Sequence, residues 1–204
     1  MTYIILEGVV GTGKTTQADR LFEHLKKKYP NKEVILTREP GGTEIAEAIR
    51  KLVQGTDFEE EMVPTCEAYL YASARAQSLR KIVKPVLDKV GIVIADSSFL
   101  SSIAYQGYAK NLGMDKVFEI NKTATKGFEP DIILFLKLDP KIGLSRTFDQ
   151  GGDKHEKESV EFFEKIEQGY IELSKMYLDI WKMIDAKGSQ DDVFDRIKNA
   201  VKDL

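Results

Sequence analysis

Residues 8–15 read Gly8-Val9-Val10-Gly11-Thr12-Gly13-Lys14-Thr15. Three glycines in eight residues let the backbone turn so that several N–H groups point at one anion. A short apolar run ends just before this stretch, at Leu6, and an amphipathic helix is predicted to begin near Lys14. The N-terminus of that helix adds about half a positive charge at the same place. The pattern therefore predicts a phosphate-binding loop between a strand and a helix.

The side chains of this loop indicate a nucleotide bound together with a metal ion. Lys14 offers an ammonium to the β- and γ-phosphates, and the Thr15 hydroxyl is placed to bind Mg²⁺. Asp96 follows the apolar run Ile92–Ala95, which predicts it at the carboxyl edge of a strand, where open α/β sheets bind ligands. A carboxylate there can hold Mg²⁺ through water, and a turn-forming aspartate is the alternative. The predicted ATP-binding residues of the loop are Gly8, Val9, Val10, Gly11, Thr12, Gly13, Lys14, Thr15 and Thr16.

The loop alone does not specify the reaction, because GTPase switches, ATP-driven motors and small-molecule kinases all contain it. The sequence has no Asn-Lys-x-Asp guanine motif, which disfavours a GTPase. A chain of 204 residues also lacks room for the additional domains of most motors. A small kinase is the reaction class that these observations favour.

Length, charge and cysteine content favour one soluble globular domain. A chain of 204 residues is predicted to form a single domain, 1–204. Its 30 basic and 33 acidic side chains give a formal charge of −3, which argues against a nucleic-acid or membrane-surface binder. Cys66 is the only cysteine and cannot form an internal disulfide. Since no signal or membrane segment is recognised, a cytoplasmic location is expected.

Hydrophobic patterning predicts an α/β fold with a parallel sheet covered by helices on both faces. The predicted strands are Tyr3–Leu6, Val34–Leu36, Ile92–Ala95, Ile132–Leu138 and a shorter run at Met183-Ile184. Helical stripes lie between them, as in Ile45, Ile49, Leu52 and Val53. The longest helix is predicted at about 159–176, and a last helix is predicted to begin at Asp191 or Asp192 as its N-cap.

Four further motifs, in this order and spacing, resemble bacterial-type thymidylate kinases, which are P-loop nucleoside monophosphate kinases. After the loop, these motifs are Arg38-Glu39-Pro40-Gly41-Gly42-Thr43, Tyr71-Ala72-Ser73-Ala74-Arg75, Ser101 through Ala104-Tyr105-Gln106-Gly107, and Ile184-Asp185-Ala186. The resemblance implies a three-layer αβα fold with a five-stranded parallel sheet, a lid at about 146–158, and a homodimer. It also implies Mg²⁺-dependent transfer of the γ-phosphoryl of ATP to thymidine monophosphate.

Acceptor-site residues follow partly from chemistry and partly from the resemblance. Arg38 follows the second strand, so its guanidinium can form a bidentate contact with the acceptor phosphate; a surface ion pair, for instance with Glu39, is the alternative. By resemblance Tyr71 stacks on the thymine ring and Arg75 donates to a base oxygen; core packing is the alternative for Tyr71. Further base and sugar contacts implied by the resemblance are Ser101, Tyr105 and Gln106.

The resemblance also assigns residues to the donor side. Arg146 matches a lid arginine that lies near adenine and approaches the phosphates, although a solvated helix charge is the alternative. The adenine-side loop corresponds to Ala186, Lys187 and Gly188.

Three departures from the family pattern put the acceptor and the rate in question. Val10 stands where the family has an acid that contacts the acceptor sugar hydroxyl, and Ser97 replaces the arginine that accompanies that acid. The two losses are linked, since either group alone would leave an unpaired charge. Lys154 replaces a lid arginine, which leaves Lys14, Arg146 or Lys154 as the catalytic cation, beside Arg38 and Asp96. A kinase for another nucleoside monophosphate and a nucleotide-binding protein without transfer activity are therefore alternatives.

Overall fold

The computed structural model describes residues 1–55, 58–146 and 159–204. Its five strands form one parallel sheet in the order β2-β3-β1-β4-β5. The strands are β1 (Thr2–Glu7), β2 (Val34–Arg38), β3 (Ile92–Asp96), β4 (Ile132–Lys137) and β5 (Trp181–Asp185). This sheet confirms the predicted strands and the predicted α/β fold class.

Helices follow the strands as the alternating hydrophobic pattern predicts. They are α1 (Lys14–Lys28), α2 (Glu44–Gln54), α3 (Pro64–Ser78), α4 (Lys84–Asp88), α5 (Phe99–Ser102), α6 (Met114–Thr125), α7 (Pro140–Ser145), α8 (Val160–Met176) and α9 (Gln190–Ala200). Two π-helical segments, Leu79–Val83 and Ile103–Ala109, continue α3 and α5. Among the described residues, no helix is long and apolar enough to cross a membrane.

The three central strands, β1, β3 and β4, are buried on both faces because their side chains alternate between two apolar layers. In β1, Tyr3 and Ile5 pack into one cluster with residues of α8, such as Tyr170. Ile4 and Leu6 pack into the other, with residues of α1 and α9. Strands covered on both sides read as continuous apolar runs, which is why the sequence pattern identified them. The result is the predicted three-layer αβα arrangement.

Two details of the helices differ from prediction. The apolar stripe of α2 is only partly buried: Val53 is inaccessible, whereas Ile45 and Leu52 are 57% and 38% exposed. The N-cap of α9 is Ser189, and Asp192 is the third helical residue of a capping box rather than the cap itself. Periodicity identifies an apolar face but not what covers it, and a serine just upstream competes with an aspartate for the cap.

The carboxyl ends of the strands bring the predicted functional segments together. In the parallel registers, Asp96 of β3 is the Cα partner of both Leu6 in β1 and Arg38 in β2. Because parallel strands end at the same edge, the phosphate loop after β1, Arg38 and Asp96 share that edge. The loop after β5, which begins at Ala186, also belongs to it.

Candidate active site

A cavity of about 760 Å³ lies over this edge of the sheet. The predicted residues that line it are Gly8, Val10, Gly11, Thr12, Gly13, Lys14, Thr15, Thr16, Arg38, Tyr71, Arg75, Asp96, Ser101, Tyr105, Gln106, Arg146, Ala186 and Gly188. Val9 instead packs in the core, and Lys187 lines a separate depression beside Asp139. Lys154 and the rest of the predicted lid after Arg146 lie outside the described residues.

The phosphate loop holds its lysine close to its own backbone. Lys14 Nζ donates to the carbonyl oxygens of Gly8, at 2.8 Å, and Val9, at 3.1 Å. Gly13 precedes α1 with a φ of 86°, a left-handed conformation that favours glycine. The ammonium and the start of α1 are thus placed on one small concavity, as an anion site requires.

The predicted metal ligands lie next to each other. The Thr15 hydroxyl donates to Asp96 Oδ2 at 2.6 Å, across the gap between α1 and β3. A hydroxyl and a carboxylate oxygen are hard ligands, and Mg²⁺ in kinase sites is bound by one or two such side chains together with substrate phosphates. The pair therefore fits Mg²⁺.

The tip of the loop is packed tightly against α7. A Cβ on Gly11, which has a φ of +71°, would lie 1.9 Å from the carbonyl oxygen of Gly143. Arg146 Nη1 lies 3.4 Å from the carbonyl oxygen of Gly11, so the described end of the lid segment also contacts the loop. The loop tip therefore contacts both α7 and Arg146, the first residue of the predicted lid, which we call the lid root.

We expect Gly11→Ala to lower the free energy of unfolding by at least about 2 kcal/mol. The alanine would strain the backbone at a positive φ, and its Cβ would also push α7 away from the loop. Gly13→Ala is the matched control, since Gly13 also has positive φ but nothing lies within 4 Å of its added Cβ. It should cost only the backbone strain, about 1 kcal/mol. Urea unfolding without ligands measures both, and equal losses would show that contact with Gly143 is unimportant.

Arg38 pairs with Glu47, not with the neighbouring Glu39. Its Nη2 donates to both carboxylate oxygens of Glu47 at 3.0–3.1 Å, while its side chain stays 54% exposed. The backbone N–H of Gly42, with Arg38, holds the pKa of Glu47 below its usual range.

Arg50 also lines the cavity and donates to the carbonyl oxygen of Pro40 at 2.9 Å. Sequence reasoning missed Arg50, although its position on α2 behind the Arg38 segment was a usable signal.

Arg75 is buried in a network of hydrogen bonds. Its Nε donates to Glu39 at 2.5 Å, its Nη1 to Asn121, and its Nη2 to Ser102 and the carbonyl of Ser98. Burial raises the pKa of Glu39, and the Arg75 charge opposes that rise. A guanidinium has five N–H donors, so within the described part of the chain one on Nη1 is left for a ligand.

Glu7 is a buried carboxylate that the sequence offered only as one substitute, beside Glu39 or an ordered water, for the acid missing at Val10. It lies at the end of β1 and accepts hydrogen bonds from the hydroxyls of Ser98, Ser101 and Tyr170 at 2.6–2.9 Å. Burial raises its pKa, and these hydroxyls oppose the rise. Ser101 therefore lines the cavity while its hydroxyl is directed to Glu7. No sequence signal marks this cluster, since acidic residues are rarely buried.

The two aromatic residues that the resemblance assigns to the acceptor, Tyr71 and Tyr105, both line the cavity. Tyr71 is 8% exposed and lines the cavity. Tyr105 lies edge-on to Phe162, with ring centroids 6.4 Å apart, and also lines the cavity. The two predicted alternatives for Tyr71, core packing and ligand contact, are thus compatible.

Two of the departures from the family pattern lie at the cavity wall. Val10 and Ser97 both line it, and Val10 also packs against the apolar cluster that includes Val9. Glu7 is fully buried, and three hydroxyls already donate to its carboxylate. A valine and a serine thus stand on the cavity wall where the family pattern places an acid and an arginine.

Comparisons with known proteins agree with one another. The sequence model for "Thymidylate kinase" matches residues 6–197. A thymidylate kinase from Caldanaerobacter subterraneus subsp. tengcongensis is 40% identical, over 90% of this chain and 86% of that protein. One from Ligilactobacillus salivarius is 38% identical, over 95% of this chain and 93% of that protein. The crystal structure of thymidylate kinase from Ehrlichia chaffeensis matches with a TM-score of 0.80 at 27% identity, over 98% of both chains.

The phosphate loop, the Thr15–Asp96 pair and the basic side chains across the cavity define a P-loop nucleoside monophosphate kinase. The family match and the identities of the relatives define it more narrowly. The chain belongs to the thymidylate kinase family.

Proposed function

We propose that this chain, acting as one catalytic domain, transfers the γ-phosphoryl of ATP to thymidine 5′-monophosphate (TMP) and releases ADP and thymidine diphosphate. The observation that supports this most is the single cavity that joins two half-sites. One half-site contains Lys14, Thr15 and Asp96, and the other contains Arg38 and Arg75. Phosphoryl transfer needs this arrangement, because two anionic groups must be brought in line while their repulsion is neutralised.

On the donor side, the backbone N–H groups of the loop and Lys14 bind the β- and γ-phosphates. Thr15 and Asp96 would hold Mg²⁺, which when bound neutralises charge on the phosphates and orients them. Ala186 and Gly188, which line the cavity, would contact the adenine ring. Arg146 reaches the transferred group from the lid root, and Lys154 is its proposed companion from the lid.

On the acceptor side, Arg38 binds the phosphate of TMP through the N–H groups of its guanidinium that do not donate to Glu47. Tyr71 stacks on the base, and the remaining N–H of Arg75 donates to a base oxygen. Ser101, Tyr105 and Gln106 complete the base and sugar contacts. The departures at Val10 and Ser97 affect the sugar side and leave the phosphate and base contacts in place.

The test is to supply ATP and Mg²⁺ with each nucleoside monophosphate in turn and to measure the rate of ADP release. We expect TMP to give the highest kcat/KM among the common nucleoside monophosphates. A higher value for a different acceptor would support another monophosphate kinase, the reading that Val10 and Ser97 favour. Nucleotide binding without ADP release would support a binding protein that has lost transfer.

The replacement of the family acid by Val10 predicts weak discrimination at the acceptor 3′-hydroxyl. A site that binds a hydroxyl rejects an analogue without it because a polar group is left unpaired, and valine has no such group. We expect 3′-deoxythymidine monophosphate to reach kcat/KM within about tenfold of TMP, equivalent to about 1.4 kcal/mol. A preference for TMP above about 10³-fold would show that another group binds the hydroxyl.

We also propose a cytoplasmic homodimer that forms through α2 and α3. These helices contact each other and carry exposed apolar side chains, including Ile45, Leu52 and Tyr69, which are 57%, 38% and 58% exposed. Such a patch is typical of a protein interface. Sedimentation should give twice the chain mass of 23.1 kDa, and Leu52→Glu with Tyr69→Glu should give the monomer. A monomeric parent would contradict this proposal.

A further inference from the structure

Gln106 is a buried amide held at one end only. It is 1% exposed, and its Nε2 donates to Glu67 Oε2 at 3.2 Å. Its Oε1 has no hydrogen-bond partner among the described residues. Since Gln106 also lines the cavity, the unsatisfied end of the amide is the one available to a ligand.

Glu67 determines which end of the Gln106 amide faces the cavity. It is fully buried on α3, and Lys110 Nζ lies 2.7 Å from the same Oε2 that Gln106 contacts. An ionised carboxylate beside an ammonium accepts hydrogen bonds and donates none. A flipped Gln106 would place its own oxygen against this carboxylate, so only the orientation with Nε2 towards Glu67 is favourable. Gln106 therefore offers an acceptor, not a donor, to the cavity.

We propose that Glu67 is a positioning residue that sets base specificity by fixing the orientation of the Gln106 amide. This inference rests on the proposed function. A base with a ring N–H, as in thymine or uracil, supplies the donor that Oε1 lacks. Cytosine has an unprotonated ring nitrogen at that position and would face Oε1 lone pair to lone pair. The Glu67–Gln106 pair thereby selects thymine or uracil against cytosine, although Glu67 itself does not contact the base.

The sharpest probe is a pair of acceptors that differ only at the base edge: TMP and 5-methyl-2′-deoxycytidine monophosphate. Both carry the 5-methyl group, so shape and stacking are matched. We expect the parent to bind TMP at least about 10³-fold more tightly, as sites that pair with a substrate N–H do. In Glu67→Gln, the new amide can donate or accept, so Gln106 can turn. The binding ratio should then fall at least about tenfold.

A reciprocal exchange separates positioning from simple structural damage. In Glu67→Gln with Gln106→Glu, the amide and the carboxylate trade places, and the carboxylate again offers an acceptor to the base. This double variant should restore the preference for TMP over 5-methyl-2′-deoxycytidine monophosphate that Glu67→Gln weakens. If the single variant fails to fold, the double variant alone still tests the inference. Glu119→Gln, a side chain 71% exposed on α6, is the control for loss of an acidic charge.

Calorimetric dissociation constants provide the measurement, with Tm as the check on folding. An unchanged ratio in folded Glu67→Gln, or equal weakening of both acceptors, would overturn the inference. Failure of the double variant to recover the ratio would overturn it as well. Binding is measured apart from turnover, so a parent that selects TMP without phosphorylating it contradicts the proposed function alone.

Discussion

Lys14→Ala is expected to lower kcat by about 10³-fold or more while leaving the fold intact. Lys14 Nζ contacts only the carbonyl oxygens of Gly8 and Val9 among the hydrogen bonds of the described structure, and it belongs to no apolar layer. Its removal therefore costs little packing. It deletes the cation placed for the β- and γ-phosphates, whose charge is redistributed as the phosphoryl group transfers.

The matched control for this variant is Lys27→Ala, an exposed lysine in the last turn of the same helix. It should leave kcat within about twofold of the parent, because surface charges this far from a site are largely screened. Initial rates at saturating ATP and TMP, together with Tm, distinguish the two variants. A Lys14→Ala enzyme within a few-fold of the parent would contradict the assignment of the loop as the donor-phosphate site.

Arg38→Ala should impair use of the acceptor far more than binding of ATP. Loss of a bidentate contact with the acceptor phosphate costs about 2–4 kcal/mol, which corresponds to about 30- to 1,000-fold in kcat/KM for TMP. The KM for ATP should change less than about threefold, because Arg38 is the last residue of β2 and the donor loop follows β1. Its exposed pair with Glu47 contributes little to stability, so Tm should hardly change.

Arg38→Lys tests the geometry of this contact. Lysine retains the charge but lacks the planar pair of donors, so it should recover only part of the loss. Full recovery would show that charge alone matters at this position. An effect confined to ATP binding would place Arg38 on the donor side and contradict the assignment.

The fold was largely predictable because its signals are local. Strands covered on both faces read as short apolar runs, and the glycine-rich loop carries its own signature between β1 and α1. The apolar residues of α2 were less informative. Their periodicity shows that Ile45 and Leu52 share a helix face, but it does not show whether other residues of this chain bury that face. The cap of α9 depended on a choice between neighbouring polar residues, Ser189 and Asp192.

Site residues could be predicted where they lie at the ends of strands. They could not be predicted where their role depends on side chains far away in the sequence. Thr15 and Asp96 could be placed from the loop motif and the end of β3, and the structure brings them to 2.6 Å. Glu7 and Glu67 could not, because their partners come from segments far apart in sequence. Buried carboxylates run against the usual preference of acidic residues for water, so composition and periodicity do not indicate them.

We conclude that this chain moves a phosphoryl group between two bound nucleotides. The most direct test supplies ATP labelled in its γ-phosphate together with TMP and Mg²⁺, and follows the label by chromatography. We expect the label to appear in the β-phosphate of thymidine diphosphate, with an equal amount of ADP. Label that stays in ATP, or that is released only as inorganic phosphate, would contradict it.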